Sequence, residues 1–123
     1  MINVKDQVYA ALKTVEDAAS VTDLYPQDWT QLPAIQYTEE ANNVFEKTDQ
    51  KEQLAQLSYR VDIWNTGSTS LLALAVDEAL SALGLTRTSC TDVTDGTNMR
   101  HKQMRYEGVI DMDGDIVYWY GSR

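Results

Sequence analysis

The chain has 123 residues, of which 43% are hydrophobic and 24% charged, and its 19 acidic against 10 basic residues give a formal net charge of −9. This length and composition exclude a fibrous repeat and a disordered chain, and they predict one globular domain over residues 1–123. The acidic balance disfavours sequence-specific binding to nucleic acid, because it repels a phosphate backbone at long range.

Hydropathy and cysteine content indicate a soluble protein that is made in a cytoplasm. The longest apolar run, Leu71 to Val76, is too short to span a membrane, and the polar Lys5-Asp6-Gln7 spoils a signal peptide. The one cysteine, Cys90, cannot form an intramolecular disulfide, and no nearby cysteine or histidine completes a zinc pattern. We therefore expect no membrane partner, no metal and no cofactor.

The chain begins with a predicted helix and an irregular connection. Apolar residues recur at the spacing of one helical face, which predicts an amphipathic helix over residues 3 to 18 with Asn3 as its N-cap. The segment from Tyr25 to Pro33 contains two prolines, and each proline disfavours helix at the residue before it. This segment should therefore be an extended, irregular loop.

Two strands are predicted next, on either side of a polar stretch. Residues 34 to 38 alternate in polarity, which predicts a short strand. Residues 39 to 52 are mostly charged or amide-bearing, and we expect them to form a long, mobile, solvated excursion. Residues 57 to 63 then give the clearest strand pattern, with the odd-numbered residues on one face, and Trp64 ends the strand on the other face.

A second, more apolar helix follows. Its capping candidates are Ser68 and Ser70, and Gly84 should end it and let Leu85 fold back on Leu80. We expect this helix to press hardest on the sheet. The apolar residues assigned to its buried stripe are Leu71, Leu72, Ala75, Val76, Ala79, Leu80 and Leu83.

The last third of the chain predicts more strands. They cover residues 86 to 91, 103 to 112 and 115 to 120, with turns at Asp95-Gly96 and Asp113-Gly114. The predicted order is α-β-β-α-β-β with a C-terminal hairpin. This order predicts an α+β fold in which two helices pack on one face of a mostly antiparallel sheet.

No motif in the sequence indicates catalysis. Residues 111 to 115 (DMDGD) are similar to the start of a calcium loop, but the glycine is misplaced and a hairpin turn is the better interpretation. His101 is the only histidine, and we interpret it as an exposed loop residue. Cys90 has no nearby cation in the sequence and is interpreted as a small packed thiol. We expect a protein that is not an enzyme.

Charged residues cluster in three places. The acidic pairs Glu39-Glu40 and Asp77-Glu78 could in principle exchange protons with a substrate, but they lie in polar runs and are interpreted as solvated surface. The basic cluster indicates either a local positive patch or a solvated strand end, and we favour the strand end. Its members are Arg100, His101, Lys102 and Arg105.

Aromatic residues indicate a possible interface. Trp119 alternates with Tyr118 and Tyr120 on the last predicted strand, so one face of that strand exposes an aromatic side chain if the other is buried. An exposed Trp119 would suit a binding interface. The alternative is that Trp119 packs under the loop that carries Trp29.

Four stretches together resemble the tail-completion or tail-terminator proteins of long-tailed bacteriophages. They are the loop and first strand at residues 24 to 37, the strand at 58 to 65, the helix at 68 to 85 that closes on Leu-Gly-Leu, and the strand at 104 to 111. The resemblance spans most of the chain but rests on pattern, since none of these stretches carries a diagnostic chemical motif.

The resemblance implies a structural virion protein. Such proteins form a ring, usually of six subunits, that caps the tail tube at its head-proximal end and provides the docking face for the head. The implied partners are further copies of the chain, the tail tube protein and a head-completion or stopper protein, with DNA only as passing cargo. Alternatives are a head-tail adaptor of the same assembly, or a small ligand- or peptide-binding domain that uses Trp29 and Trp119.

We predict that contacts with other subunits come from the polar excursion, the basic cluster and two tryptophans. The residues predicted for the interface are Trp29, Glu39, Glu40, Phe45, Glu46, Arg100, Lys102, Arg105 and Trp119.

Overall fold

Two helices and a mostly antiparallel sheet form the part of the chain that the computed structural model describes, which is residues 3–48, 51–94, 98–111 and 116–118. This confirms the α+β class. The elements in chain order are α1 (Lys5–Leu12), β1 (Ser20–Thr22), β2 (Ala34–Thr48), β3 (Lys51–Asn65), α2 (Ser70–Ala82), β4 (Thr86–Val93), β5 (Arg100–Asp111) and β6 (Ile116–Tyr118).

The strands lie in the order β1-β2-β3-β5-β4, and β6 pairs with β5 outside this path. Strand β1 runs parallel to β2, and all the other pairs are antiparallel. The predicted order lacked β1, because three residues are too few to show an alternating pattern. The pairing of β5 with β6 agrees with the predicted C-terminal hairpin, whose turn at Asp113-Gly114 lies outside the described residues.

The core lies on one face of β3, as its alternation predicts. Leu57, Tyr59, Val61 and Ile63 have no exposed surface and form one hydrophobic cluster with the buried residues of both helices. Because side chains alternate across a strand, these four share a face of the sheet. The helical residues in the same cluster are Val8, Leu12, Leu72, Ala73, Val76 and Leu80.

Helix α1 is shorter than predicted and ends at Leu12 instead of near residue 18. The hydroxyl of Thr14 donates a hydrogen bond of 2.6 Å to the carbonyl of Ala11, a local bond that competes with continued helix. Val15 is nevertheless buried, although it lies after the helix, between turns. Its apolar side chain therefore fits the spacing of the helical face without being part of the helix. Asn3 accepts a hydrogen bond from the Lys5 N–H, although the N-cap position itself is Val4.

Helix α2 ends as predicted, in a glycine with left-handed backbone. Gly84 has a φ of 99°, its N–H donates to the carbonyl of Ser81, and the N–H of Leu85 donates to the carbonyl of Leu80. This is the Schellman arrangement, and it buries Leu85 beside the helix end. Leu71 was wrongly assigned to the buried stripe, since it lies at the solvent side of the helix with 76% of its surface exposed.

The predicted excursion at residues 39 to 52 is wrong as a description of the backbone. Strand β2 continues to Thr48 and pairs with β3 as far as Lys51, with register shifts near Ala41 and Glu46. The pattern misled because a ribbon with polar residues on both faces has no alternation to detect. Its expected mobility remains a prediction, and residues 49–50 lie outside the described part.

Candidate functional site: a charged sheet face and an open strand edge

The sheet face opposite the core carries a network of charged side chains around Asp62, which we call the charged face. Asp62 is almost fully buried, and its Oδ1 lies 2.7 Å from His101 Nε2. The same oxygen accepts a 3.1 Å hydrogen bond from Gln103, and Oδ2 accepts one of 2.9 Å from Arg60. Asp62 thereby links strand β3 to strand β5 through His101 and Gln103, while Arg60 is a contact within β3.

Glu40 extends the charged face to strand β2. Its carboxylate lies 2.9 Å from Arg105 Nε and 3.4 Å from Arg60 Nη1. Arg105 also donates a 3.0 Å hydrogen bond to Gln103, whose side chain in turn contacts Asp62. Two carboxylates therefore face two guanidinium groups, so the centre of this face is close to neutral although the chain is acidic.

Four rings, which we call the aromatic group, extend the charged face toward the loop that follows β1. Tyr25, Trp29 and Trp64 meet edge to face, with centroids 5.4 to 5.8 Å apart, and His101 stacks on Trp64 at 4.4 Å. Trp64 is 5% exposed, whereas Tyr25 is 58% exposed. The partner of Trp29 is thus Trp64, while Trp119 lies outside the described residues.

His101 is not the exposed loop residue that the sequence suggested. It lies in β5 opposite Trp64, and its side chain is only 12% exposed. Its ring is held by stacking on one side and by Asp62 at Nε2. These two contacts join strand β5 to strand β3.

Two of the acidic residues that were interpreted as solvated surface are hydrogen-bonded to buried tyrosines, whereas Glu78 is exposed as expected. Glu39 accepts a 3.0 Å hydrogen bond from Tyr59, and Asp77 accepts one of 2.8 Å from Tyr106. Burial is the main cause that raises the pKa of both phenols far above the ordinary value, and the neighbouring carboxylates add to it. Both phenols therefore stay protonated and can donate.

The predicted basic cluster is divided among different surroundings. Lys102 lies 2.9 Å from Asp92, and this hydrogen bond is the main cause that raises the pKa of Lys102. Arg105 binds Glu40, and His101 binds Asp62. Arg100 is exposed and forms no ion pair within the described ranges. The cluster is thus not one positive patch, and of its members only Arg100 fits the solvated strand end favoured from the sequence.

Cys90 was also misassigned, since its thiol is exposed on β4 instead of packed. Strand β4 ends the sheet, so only β5 lies beside it among the described strands. Most of its residues are consequently exposed. A sequence pattern of threonine and serine could not distinguish this edge from a covered strand.

The opposite end of the sheet exposes a longer edge. Strand β1 pairs only with Ala34 to Gln36 of β2. From Tyr37 to Thr48, the only described strand beside β2 is β3. We call the main chain from Tyr37 to Thr48 the β2 edge. Val44 lies on it with 54% of its surface exposed. A strand edge of this length, with no described strand beside it, is a template for another strand.

The structure brings some of the predicted interface residues together and separates others. Glu39, Glu40, Phe45 and Glu46 lie on the β2 edge, and only the backbone of the last two is described. Arg105 joins Glu40 across the charged face, whereas Arg100 and Lys102 lie toward the other end of the sheet. Trp29 belongs to the aromatic group. Sequence reasoning missed Asp62, Trp64 and Gln103, because only the strand register brings them to His101.

A cavity of about 220 Å³ adjoins the aromatic group, lined by Leu24, Tyr25, Pro26 and Gln31 among others. A second, of about 290 Å³, lies between the start of α2 and the strands β4 and β5, beside Thr69 and Arg100. Within the described ranges, no three potential metal-binding side chains come together. None of the described helices has the length and apolar character needed to cross a membrane.

No protein-family model matches the chain, and no curated protein is significantly similar to it.

Proposed function

We propose that this chain is a structural protein that assembles into a ring and caps the tail tube of a long-tailed bacteriophage, as its resemblance to tail terminators implies. The proposed partners are further copies of the chain, the tail tube protein and a head-completion protein. DNA passes through without being bound.

The observation that carries this proposal is the β2 edge. Twelve residues of main chain lie at the end of the sheet with a described strand on one side only. Natural proteins usually protect such an edge with proline, a cover, very short length, charged side chains or bulges. Residues 37 to 48 contain no proline and no described cover strand, and their protection is limited to four charged residues and register shifts near Ala41 and Glu46. A strand of another subunit that pairs with this edge offers hydrogen-bond partners to its outward-pointing N–H and C=O groups.

Charge supports a role in which DNA is cargo. The formal charge of −9 on each subunit disfavours adhesion of DNA to a lumen lined by these chains. The arginines of the charged face are already occupied, because Arg60 and Arg105 bind Glu40 and Asp62. Few cations therefore remain to hold a phosphate there.

Native mass spectrometry of the purified chain, alone and with tail tubes, tests the proposal. A closed ring is the expected result, and the chain should restore normal tail length in an assembly mixture that lacks a terminator. A chain that stays monomeric at high concentration and with tail tubes overturns the proposal.

A matched pair of variants locates the contact. Val44→Asp places a charge on the β2 edge, whereas Leu74→Asp places the same charge on the exposed side of α2. We expect the first variant to fold but not to form rings, and the second to form them as the parent does. Circular dichroism checks that both variants fold.

A second candidate function is favoured by the cavity beside Tyr25. Its lining is mainly apolar, and Tyr25 and Leu24 are exposed at its rim, so an apolar side chain of a peptide could enter it. A chain that is monomeric and binds a peptide library through this cavity, with binding lost in Tyr25→Ala, supports this candidate over the ring. A head-tail adaptor differs from a terminator only in its partner, so affinity for head or tail particles separates these two.

A further inference from the structure

We infer that neighbouring copies join by sheet extension, with β4 of one copy pairing antiparallel with the β2 edge of the next. This inference rests on the proposed ring and specifies its joint. The occupant of the β2 edge is thus a second copy of this chain.

Strand direction is the first argument. Each neighbour in the path β2-β3-β5-β4 is antiparallel, so β4 runs opposite to β2. When two copies stand side by side in the same orientation, β4 of one meets β2 of the next in antiparallel sense. The main sheet then continues across the joint with the same kind of pairing that it has inside each copy.

Length and accessibility agree with this pairing. Strand β4 has 8 residues, and the 12 residues of the β2 edge can accommodate all of them. The three residues of β2 that β1 covers lie at one end, and no described strand lies beside the rest on that side. Strand β6 pairs with β5 beyond the last residue pair of β4, so it does not lie along β4.

The two edges are also different surfaces, which favours a ring over a pair. A joint of β2 to β2 would use the same surface twice and stop at a dimer. A joint of β4 to β2 leaves one free edge at each end of an open row of copies, so copies can be added until the ring closes. The symmetry axis of a ring relates each copy to the next by a rotation. Strands of adjacent copies stay antiparallel under that rotation only when their direction is nearly parallel to the axis. The sheets would therefore form the wall of the ring.

The side chains at the joint have a definite facing. Cys90 is opposite the core residue Met104, so it lies on the helix-covered side of the sheet. On β2 the register places Glu39, Asn42 and Val44 on that same side, opposite Tyr59, Leu57 and Ala55. Ala41 and Asn43 face the other side, opposite Ser58 and Gln56.

Disulfide trapping with the native Cys90 tests the joint. Single cysteines are introduced at Glu39, Asn42 and Val44, with Ala41 and Asn43 as controls of opposite facing, and the assembled chain is mildly oxidised. Directly opposed residues in adjacent strands have Cβ atoms about 4.5–5.5 Å apart, near enough for a disulfide after a small shift. We expect a ladder of cross-linked chains from at least one of the first three variants and from neither control.

The background Cys90→Ser decides which strand is the partner. Loss of the ladder in this background supports the β4–β2 joint. A cross-linked dimer that persists shows β2 pairing with β2 and overturns it. A ring that gives no cross-link, or that cross-links equally from both facings, overturns the joint and leaves the ring intact. A chain that forms no ring overturns the proposed function itself.

Discussion

His101 Nε2 lies 2.7 Å from Asp62 Oδ1, and this contact joins two strands through residues that are 39 positions apart in the sequence. Asp62 also accepts hydrogen bonds from Arg60 and Gln103, so one buried carboxylate organises the centre of the charged face. Buried charge is stable only when it is paired in this way. The centre of the charged face at Asp62 is therefore buried and paired, while Glu40 and Arg105 at its border remain partly exposed.

Replacing Asp62 should destabilise the protein strongly. The Asp62 side chain is only 3% exposed, and Asp62→Ala removes its three polar contacts. Its partners then lack their acceptor, so we expect the free energy of unfolding to fall by about 3 kcal/mol. Asp92→Ala is the matched control, because Asp92 is 79% exposed and should contribute less than about 1 kcal/mol. Urea unfolding of the two variants measures both values. Equal losses would show that Asp62 has no special role.

Truncation of two leucines in α2 tests the orientation of that helix. Leu80 is fully buried and Leu74 is 66% exposed. Leu80→Ala should lower the free energy of unfolding by about 2–5 kcal/mol, because it leaves a cavity. Leu74→Ala should change it by less than about 0.5 kcal/mol. If chemical denaturation showed the larger loss of stability for Leu74→Ala, the orientation assigned to α2 would be wrong.

Two glycine substitutions test the end of α2. Gly84→Ala forces a Cβ into the left-handed backbone at φ 99° and should cost about 1–2 kcal/mol. Gly67→Ala is the control, since the new Cβ would meet only Asn65 Nδ2 at 3.6 Å, an ordinary contact. Thermal melts that show no difference between the variants contradict the role given to Gly84.

Elements with one clear buried face could be predicted from the sequence. Strand β3 and helix α2 each bury a regular series of apolar residues, and both were placed within a few residues of their bounds apart from the start of β3. The continuation of β2 beyond residue 40 could not be predicted, because residues 41 to 44 pair with β3 although none of them is buried.

The candidate site was harder to predict, because it depends on register. His101 was interpreted as a loop residue because a single sequence gives no sign that Asp62 and Trp64 lie across from it. Glu39 and Glu40 were correctly placed in a polar segment, but their partners on β3 and β5 are distant in sequence. The local sequence pattern shows where charged residues lie. Only the register of the folded sheet shows which oppositely charged residues they pair with.

The last prediction concerns alkaline pH and Tyr106, whose side chain is fully buried and donates a 2.8 Å hydrogen bond to Asp77. Burial raises the pKa of Tyr106 above the ordinary 10.0, so the folded protein keeps a proton that the unfolded chain releases. The stabilisation is complete below pH 10.0 and declines as the pH rises further, by up to about 1.4 kcal/mol per pH unit for this group. Tyr106→Phe should lower the free energy of unfolding by about 1 kcal/mol at neutral pH. Its stability should also decline less steeply with alkaline pH, because of the buried phenols Tyr59 and Tyr106 only Tyr59 is then left to hold its proton in the folded state. Urea unfolding across the alkaline range measures both slopes, and parallel curves for parent and variant would show that Tyr106 does not hold its proton in the folded state.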